Sequence, residues 1–209
     1  MPPQESGPGW FRWARRRRPG TAAALAEEIL ARPARSGDSR LVAVDGQSGA
    51  GKTTFAAELA AAIAAAGATA HVVHTDDLLD GWDDQFTFWD RLAEQVIGPL
   101  RAGRRAAYRR YDWIAERFVD DLTEIPAADV VIIEGVSTAR AAMREVADLT
   151  IFIGVPVEVA WARLRARDPA EAMPFLEVWK AREVGHFAAD RTAELADVLV
   201  DGREPEDPS

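Results

Sequence analysis

The chain has 209 residues, 48% of them hydrophobic and 28% charged, with a net charge of −9. It contains no cysteine, which excludes disulfides and thiolate metal sites, and no apolar run approaches the roughly 18 residues that a membrane span needs. The charge is uneven: residues 1–20 set Glu5 against Arg12, Arg15, Arg16, Arg17 and Arg18 (+4), leaving −13 of the total for an acidic remainder that argues against general nucleic-acid binding.

This length suits one α/β domain over 21–203, between a basic tail (1–20) expected to be disordered and a short acidic tail (204–209). The arginine run with Trp10, Phe11 and Trp13 beside it reads either as a solvated terminus or as a phosphate-seeking segment. The N-terminus lacks an apolar signal core, so a cytoplasmic location is expected. Thr21 caps a short amphipathic helix with Leu25, Ile29 and Leu30 on one side, and Pro33 ends it.

Residues 41–44, Leu-Val-Ala-Val, read as a buried strand. A glycine-rich turn follows, and then an alanine-rich helix over 55–66. Gly46, Gly51, Lys52 and Thr53 fill the pattern G-x-x-x-x-G-K-[ST] between that strand and that helix. Glycines let successive backbone N–H groups face phosphate oxygens, and the helix N-terminus adds the positive end of its dipole. The candidate nucleotide-binding residues are therefore Gly46, Gln47, Ser48, Gly49, Ala50, Gly51, Lys52, Thr53 and Thr54. Lys52 reaches for β- and γ-phosphates, and the Thr53 hydroxyl suits Mg²⁺. Only two lysines, Lys52 and Lys180, stand against 23 arginines. The slim ammonium at position 52 does what a planar guanidinium cannot.

Gly67 stops the helix, and a second strand over 70–75 runs into Asp76-Asp77. Carboxylates just past a strand's C-terminal end stand where open α/β sheets build their sites, or else cap a helix. Residues 86–100 read as a helix with an irregular end at Gly98-Pro99. Arg101 to Arg110 is strongly basic and leads to Tyr111-Asp112-Trp113, either a solvated surface or a functional loop. Residues 129–134 form an apolar strand closed by Glu134, which either helps to position Mg²⁺ or forms a buried ion pair. A helix over 137–146, a strand over 149–155 and a helix from Pro156 to Arg167 follow. That last helix places Arg163 and Arg167 on one face. Residues 170–189 read as a helix broken near Pro174, with Trp179, Glu183 and His186 along it, and a last strand covers 197–200. Strands alternating with helices predict an α/β fold: a doubly wound, five-stranded parallel sheet with helices on both faces and a short lid.

The order of these features resembles the uridine kinase-like branch of P-loop kinases, which includes phosphoribulokinase and pantothenate kinase relatives, over Leu41 to Gly202. Those kinases follow the second strand with an Asp-x-Phe-Tyr stretch. Here it reads Asp76-Asp77-Leu78-Leu79, so the resemblance implies that Asp76 acts on the acceptor hydroxyl. It likewise implies that Tyr111, Asp112 and Trp113 line the acceptor pocket, with Asp77 beside it. Glu134-Gly135 matches the family's strand end, and Arg163 to Asp168 matches its lid. Three departures stand out. Ile114-Ala115-Glu116 replaces a base-contacting histidine, which implies an acceptor presenting hydrogen-bond donors near Glu116 rather than uracil. Trp82-Asp83-Asp84-Gln85 replaces a ribose-holding stretch, and Asp168-Pro169 cuts the lid short. The resemblance implies an ATP- and Mg²⁺-dependent kinase acting on a small-molecule alcohol, with Lys52, Asp76, Arg163 and Arg167 catalytic and neither nucleic acid nor membrane as partner. A regulatory P-loop ATPase or a non-catalytic binding module is the alternative. The chain has no asparagine and no Lys-x-Asp, so the guanine-reading element is missing.

Overall fold

The computed structural model describes residues 15–16 and 21–203. In chain order these form β1 (Arg15–Arg16), α1 (Thr21–Ala31), β2 (Arg40–Gly46), α2 (Lys52–Ala65), β3 (Ala70–His74) and a 3₁₀ turn (Thr75–Leu78). A helix built of α3 (Trp89–Leu92), a π turn (Ala93–Ile97) and α4 (Gly98–Arg101) follows. Then come β4 (Ala106–Asp112), β5 (Arg117–Ile125), β6 (Val130–Glu134), α5 (Ala141–Arg144), β7 (Leu149–Gly154) and α6 (Val157–Arg167). The described chain closes with α7 (Met173–Asp190), α8 (Thr192–Leu195) and β8 (Val198–Asp201).

The main sheet is parallel, in the order β1-β8-β7-β2-β6-β3. The five longer strands and the helices on both faces are the expected architecture. Arg15–Arg16 lengthens it by pairing with Val200 and Asp201; the rest of the basic tail and the acidic tail lie outside the described residues. Buried on both faces, the central strands β2, β6 and β7 read as near-continuous apolar runs, and alternate residues serve opposite layers. Val42, Val44, Val130 and Ile132 pack with Leu25, Ile29, Phe55, Leu59 and Ile63 of α1 and α2. Leu41, Ala43, Val131 and Ile133 pack with Leu78, Phe88, Leu92, Val96 and Met143. Each valine, leucine, isoleucine, phenylalanine or methionine among them, fully buried, contributes on the order of 1.5–3 kcal/mol.

Four details depart from the sequence reading. Residues 106–125 form an antiparallel hairpin, β4–β5, outside the main sheet. The helix over 86–100 begins at Trp89 and carries a π turn, in which the Gly98 N–H donates to the Ala93 carbonyl five residues back. Pro99, with no N–H, cannot continue an ordinary ladder there. The expected helix over 137–146 shrinks to Ala141–Arg144, because the buried Asp45 carboxylate takes the N–H groups of Ser137 (2.8 Å) and Ala139 (2.9 Å). Those bonds hold Ser137 at φ 66 and keep the segment a turn. Pro174 breaks nothing: it sits in the first turn of α7, where no N–H is needed.

Candidate active site

The parallel sheet ends its strands along one edge, and the site grows there. Gly46 leaves β2 with φ 145, and a β-carbon at this position would fall 2.1 Å from the Ile153 carbonyl oxygen. Only glycine lets the loop cross β7 so closely. The loop then turns through an Ala50 N–H bond to the Gln47 carbonyl (3.0 Å) and enters α2 at Gly51, φ 92, without any side-chain cap. The first N–H groups of α2 are thus left for a ligand. Beneath it Asp45, wholly buried, also accepts the Gly46 N–H at 2.6 Å. Burial pushes its carboxyl up to about 7, against these N–H bonds and the Lys52 charge.

Lys52 donates to the Gln47 carbonyl at 3.3 Å. Thr53 Oγ1 donates to Glu134 Oε1 at 3.0 Å, and His74 Nδ1 lies 2.6 Å from the same oxygen. Burial works to raise the Glu134 carboxyl, but the His74 hydrogen bond, Lys52 and Thr53 outweigh it and hold it low. It is therefore a carboxylate. Gly135, next in sequence, has φ 151, and a β-carbon there would strike Thr75 Oγ1 at 1.7 Å. The Glu-Gly pair thus brings β6 and β3 to a common rim.

One cleft of about 760 Å³ collects these groups. Ser48, Gly49, Gly51, Lys52, Thr53 and Thr54 line its phosphate-loop side, whereas Gly46, Gln47 and Ala50 stand behind them. Asp76, Glu134, Arg163 and Arg167 also line it. Asp76 is open to the cleft but surrounded by protein, and this burial, with the Glu134 charge, raises its pKa against the pull of Lys52 and Arg167. Such a carboxylate is poised for proton transfer nearer neutrality. The two arginines differ. Arg163 donates to the carbonyls of Gly49 (3.3 Å), Ala50 (3.4 Å) and Gly202 (3.0 Å), bracing the loop. Arg167 is largely exposed and forms a two-pronged pair with Asp168 at 2.8 Å.

Of the acceptor residues read from the sequence, Trp113 alone reaches the cleft, its indole N–H donating to the Asp76 carbonyl at 3.1 Å. The others stand elsewhere. Asp77 accepts the Tyr108 hydroxyl (3.2 Å). Tyr111 is buried edge-on against Trp113 and Phe118. Asp112 caps the hairpin turn by accepting the N–H groups of Ile114 and Ala115, both at 3.0 Å. Glu116 is exposed in that turn at φ 50. Part of the remaining wall is a set that the sequence reading missed as a site: Leu79, Trp82, Leu176 and Trp179. Trp82 meets Trp113 and Trp179 edge-on at 5.5 and 5.7 Å. Seven tryptophans in an acidic chain were the available signal, but their convergence from three distant segments was not.

Residues 82–172 match the model of the phosphoribulokinase/uridine kinase family. A uridine kinase of Ureaplasma urealyticum is 29% identical over 146 residues, spanning 63% of this chain and 70% of that protein. Among solved structures, a candidate uridine kinase from Bacillus stearothermophilus shares the fold with a TM-score of 0.65 at 22% identity, over 86% of this chain and 96% of the other. A candidate fructose transport system kinase from Silicibacter sp. TM1040 superposes with a TM-score of 0.60 at 26% identity, over 87% and 97%. In fold and in the order of its motifs, the chain is similar to the uridine kinase-like P-loop kinases.

Proposed function

We propose that the chain transfers the γ-phosphoryl group of ATP to a hydroxyl of a small molecule, with Mg²⁺ as cofactor. One observation carries the reading: a single cleft holds the phosphate-loop lysine, the Thr53–Glu134 oxygen pair and the carboxylate of Asp76. Phosphoryl transfer asks a protein for little more than such positioning and charge neutralisation. Lys52 and the open N–H groups of α2 hold the β- and γ-phosphates. Asp76 orients the acceptor hydroxyl and takes its proton as the oxygen bonds to the γ-phosphorus and the bond to the ADP oxygen breaks. Arg167 offsets charge on the moving group at the cleft's rim.

A hydroxyl and a carboxylate are hard oxygen donors, the kind Mg²⁺ takes, and Mg²⁺ usually completes its shell with phosphates and water. Thr53, with Glu134, would hold the ion, which supplies neutralisation of the phosphate charge.

The curated relatives named uridine kinases make a nucleoside-like acceptor the first class to test. The indole and leucine wall calls for a flat or apolar body. Glu116 lies outside the cleft, so any preference for donor-bearing acceptors does not come from that residue. ADP release measured with and without uridine, cytidine and non-nucleoside alcohols tests the proposal. Release that depends on an acceptor supports it; equal release without one identifies an ATPase instead.

A further inference from the structure

We propose that Lys180 and Glu183 of α7 are positioning residues that set the outer turn of the phosphate loop for nucleotide binding. This rests on the nucleotide-binding reading of the same loop. Both side chains are almost wholly buried, at 7% and 1% exposure, and lie 2.9 Å apart as an ion pair. Neither faces only the other. The Lys180 ammonium donates to Gln47 Oε1 (3.3 Å) and to the Ser48 carbonyl (3.2 Å). Glu183 Oε1 accepts the Ser48 N–H (2.9 Å), the Ser48 hydroxyl and the Trp179 indole N–H (2.9 Å). Gln47 is tied further by its own amide to the Val155 carbonyl at 2.5 Å.

The chemistry matches the residue types. An ammonium carries three donors; here two go to a side-chain amide oxygen and a backbone carbonyl, and the Glu183 carboxylate stands beside it as an ion-pair partner whose Oε2 takes no hydrogen bond. Lys180 is one of only two lysines in a chain with 23 arginines, and both lysines touch the Gln47-Ser48 turn. A buried ion pair is weak evidence for stability, since its desolvation offsets much of its attraction. Its placement on this loop gives it another use. Gln47 and Ser48 precede the glycines whose N–H groups must face phosphates, so fixing that turn fixes the cradle in advance of binding. Trp179 belongs to the arrangement, because its ring lines the cleft while its N–H is held by Glu183.

The test is calorimetric binding of Mg·ADP beside thermal unfolding of the unliganded protein. Single substitutions strand a buried charge, so the informative variant is the double replacement Lys180→Met with Glu183→Gln, which keeps volume and removes both charges. Expected is a melting temperature within about 5 °C of native with Mg·ADP affinity reduced about tenfold or more, the range seen when a supporting shell is lost. A folded double variant that binds within about twofold of native overturns the inference. Should the double variant fail to fold, Gln47→Ala decides by the same readout, because it leaves the buried pair whole: about threefold or more weaker binding is expected, and native affinity overturns the inference. Lys52→Ala serves as the control for the underlying reading. If that variant also binds Mg·ADP as tightly as native, the loop does not hold nucleotide at all. If it alone is weakened, only the positioning role falls.

Discussion

Lys52 and Asp76 line one cleft with opposite charges and separable duties. Lys52 supports no core: among the described residues its ammonium hydrogen-bonds the Gln47 carbonyl, and its charge otherwise acts on the carboxylates of Asp45, Asp76 and Glu134. Lys52→Ala should therefore cut turnover by about 10³-fold or more, the scale of a lost phosphate-facing cation, with an unchanged melting temperature; steady-state kinetics and thermal unfolding of the same sample check both halves. Asp76→Asn should lower kcat by about 10²-fold or more with ATP affinity little changed. Asp77→Asn should be milder, because that carboxylate is engaged by Tyr108 away from the cleft. A reversal of the two would move the proton acceptor to Asp77. His74 offers a test through pH. Its hydrogen bond to Glu134, with that carboxylate's charge, raises the imidazole above its ordinary 6.5 despite partial burial. A raised folded value means that the pair's stabilisation is complete below pH 6.5 and withdrawn as pH climbs through the higher folded value. With the imidazole half exposed, the effect should stay below about 1 kcal/mol. In magnesium-free solution the melting-temperature gap between native protein and His74→Gln should be open near about pH 5 and closed near about pH 9; a gap independent of pH would contradict this.

At the scale of elements, what the sequence revealed followed burial. β2, β6 and β7 are covered on both faces, so their residues read as continuous apolar runs. The β4–β5 hairpin carries Arg109, Arg110, Arg117, Asp120 and Asp121 and is largely solvated along β5, which hid it behind a basic composition. Asp112 looked like a pocket residue in that stretch and proves to be the acceptor that folds the hairpin turn. The hairpin still serves the site, since it delivers Trp113 to the cleft wall. The contact between β6 and β3 is tighter than any pattern could indicate. Gly135→Ala would drive a β-carbon into Thr75 at a φ that side chains rarely adopt. It should destabilise the fold by about 2–3 kcal/mol, read as a lowered denaturation midpoint in urea with the slope unchanged.

Across the whole molecule the cleft is a meeting of distant segments: the phosphate loop, the ends of β3 and β6, the hairpin tip, and the rim running from α6 to α7. The phosphate half was legible because one contiguous motif writes it. The opposite half was not, because Trp82, Trp113 and Trp179 come together only through the fold. That half presents indole and leucine surface, whereas selecting uracil needs polar partners for the base edge. Uridine should accordingly turn over with kcat/KM below about 10⁴ M⁻¹s⁻¹, the lower end of the usual enzyme range, and an alcohol with an apolar body should exceed it in the same assay. Transfer from ATP to an acceptor hydroxyl in this cleft is decided by coupled measurement of ADP release and phosphorylated product for native protein and Asp76→Asn across that acceptor panel. One phosphorylated alcohol per ADP is expected in the native protein, with loss of both together in the variant. ADP release that is indifferent to every acceptor and untouched by Asp76→Asn would contradict it.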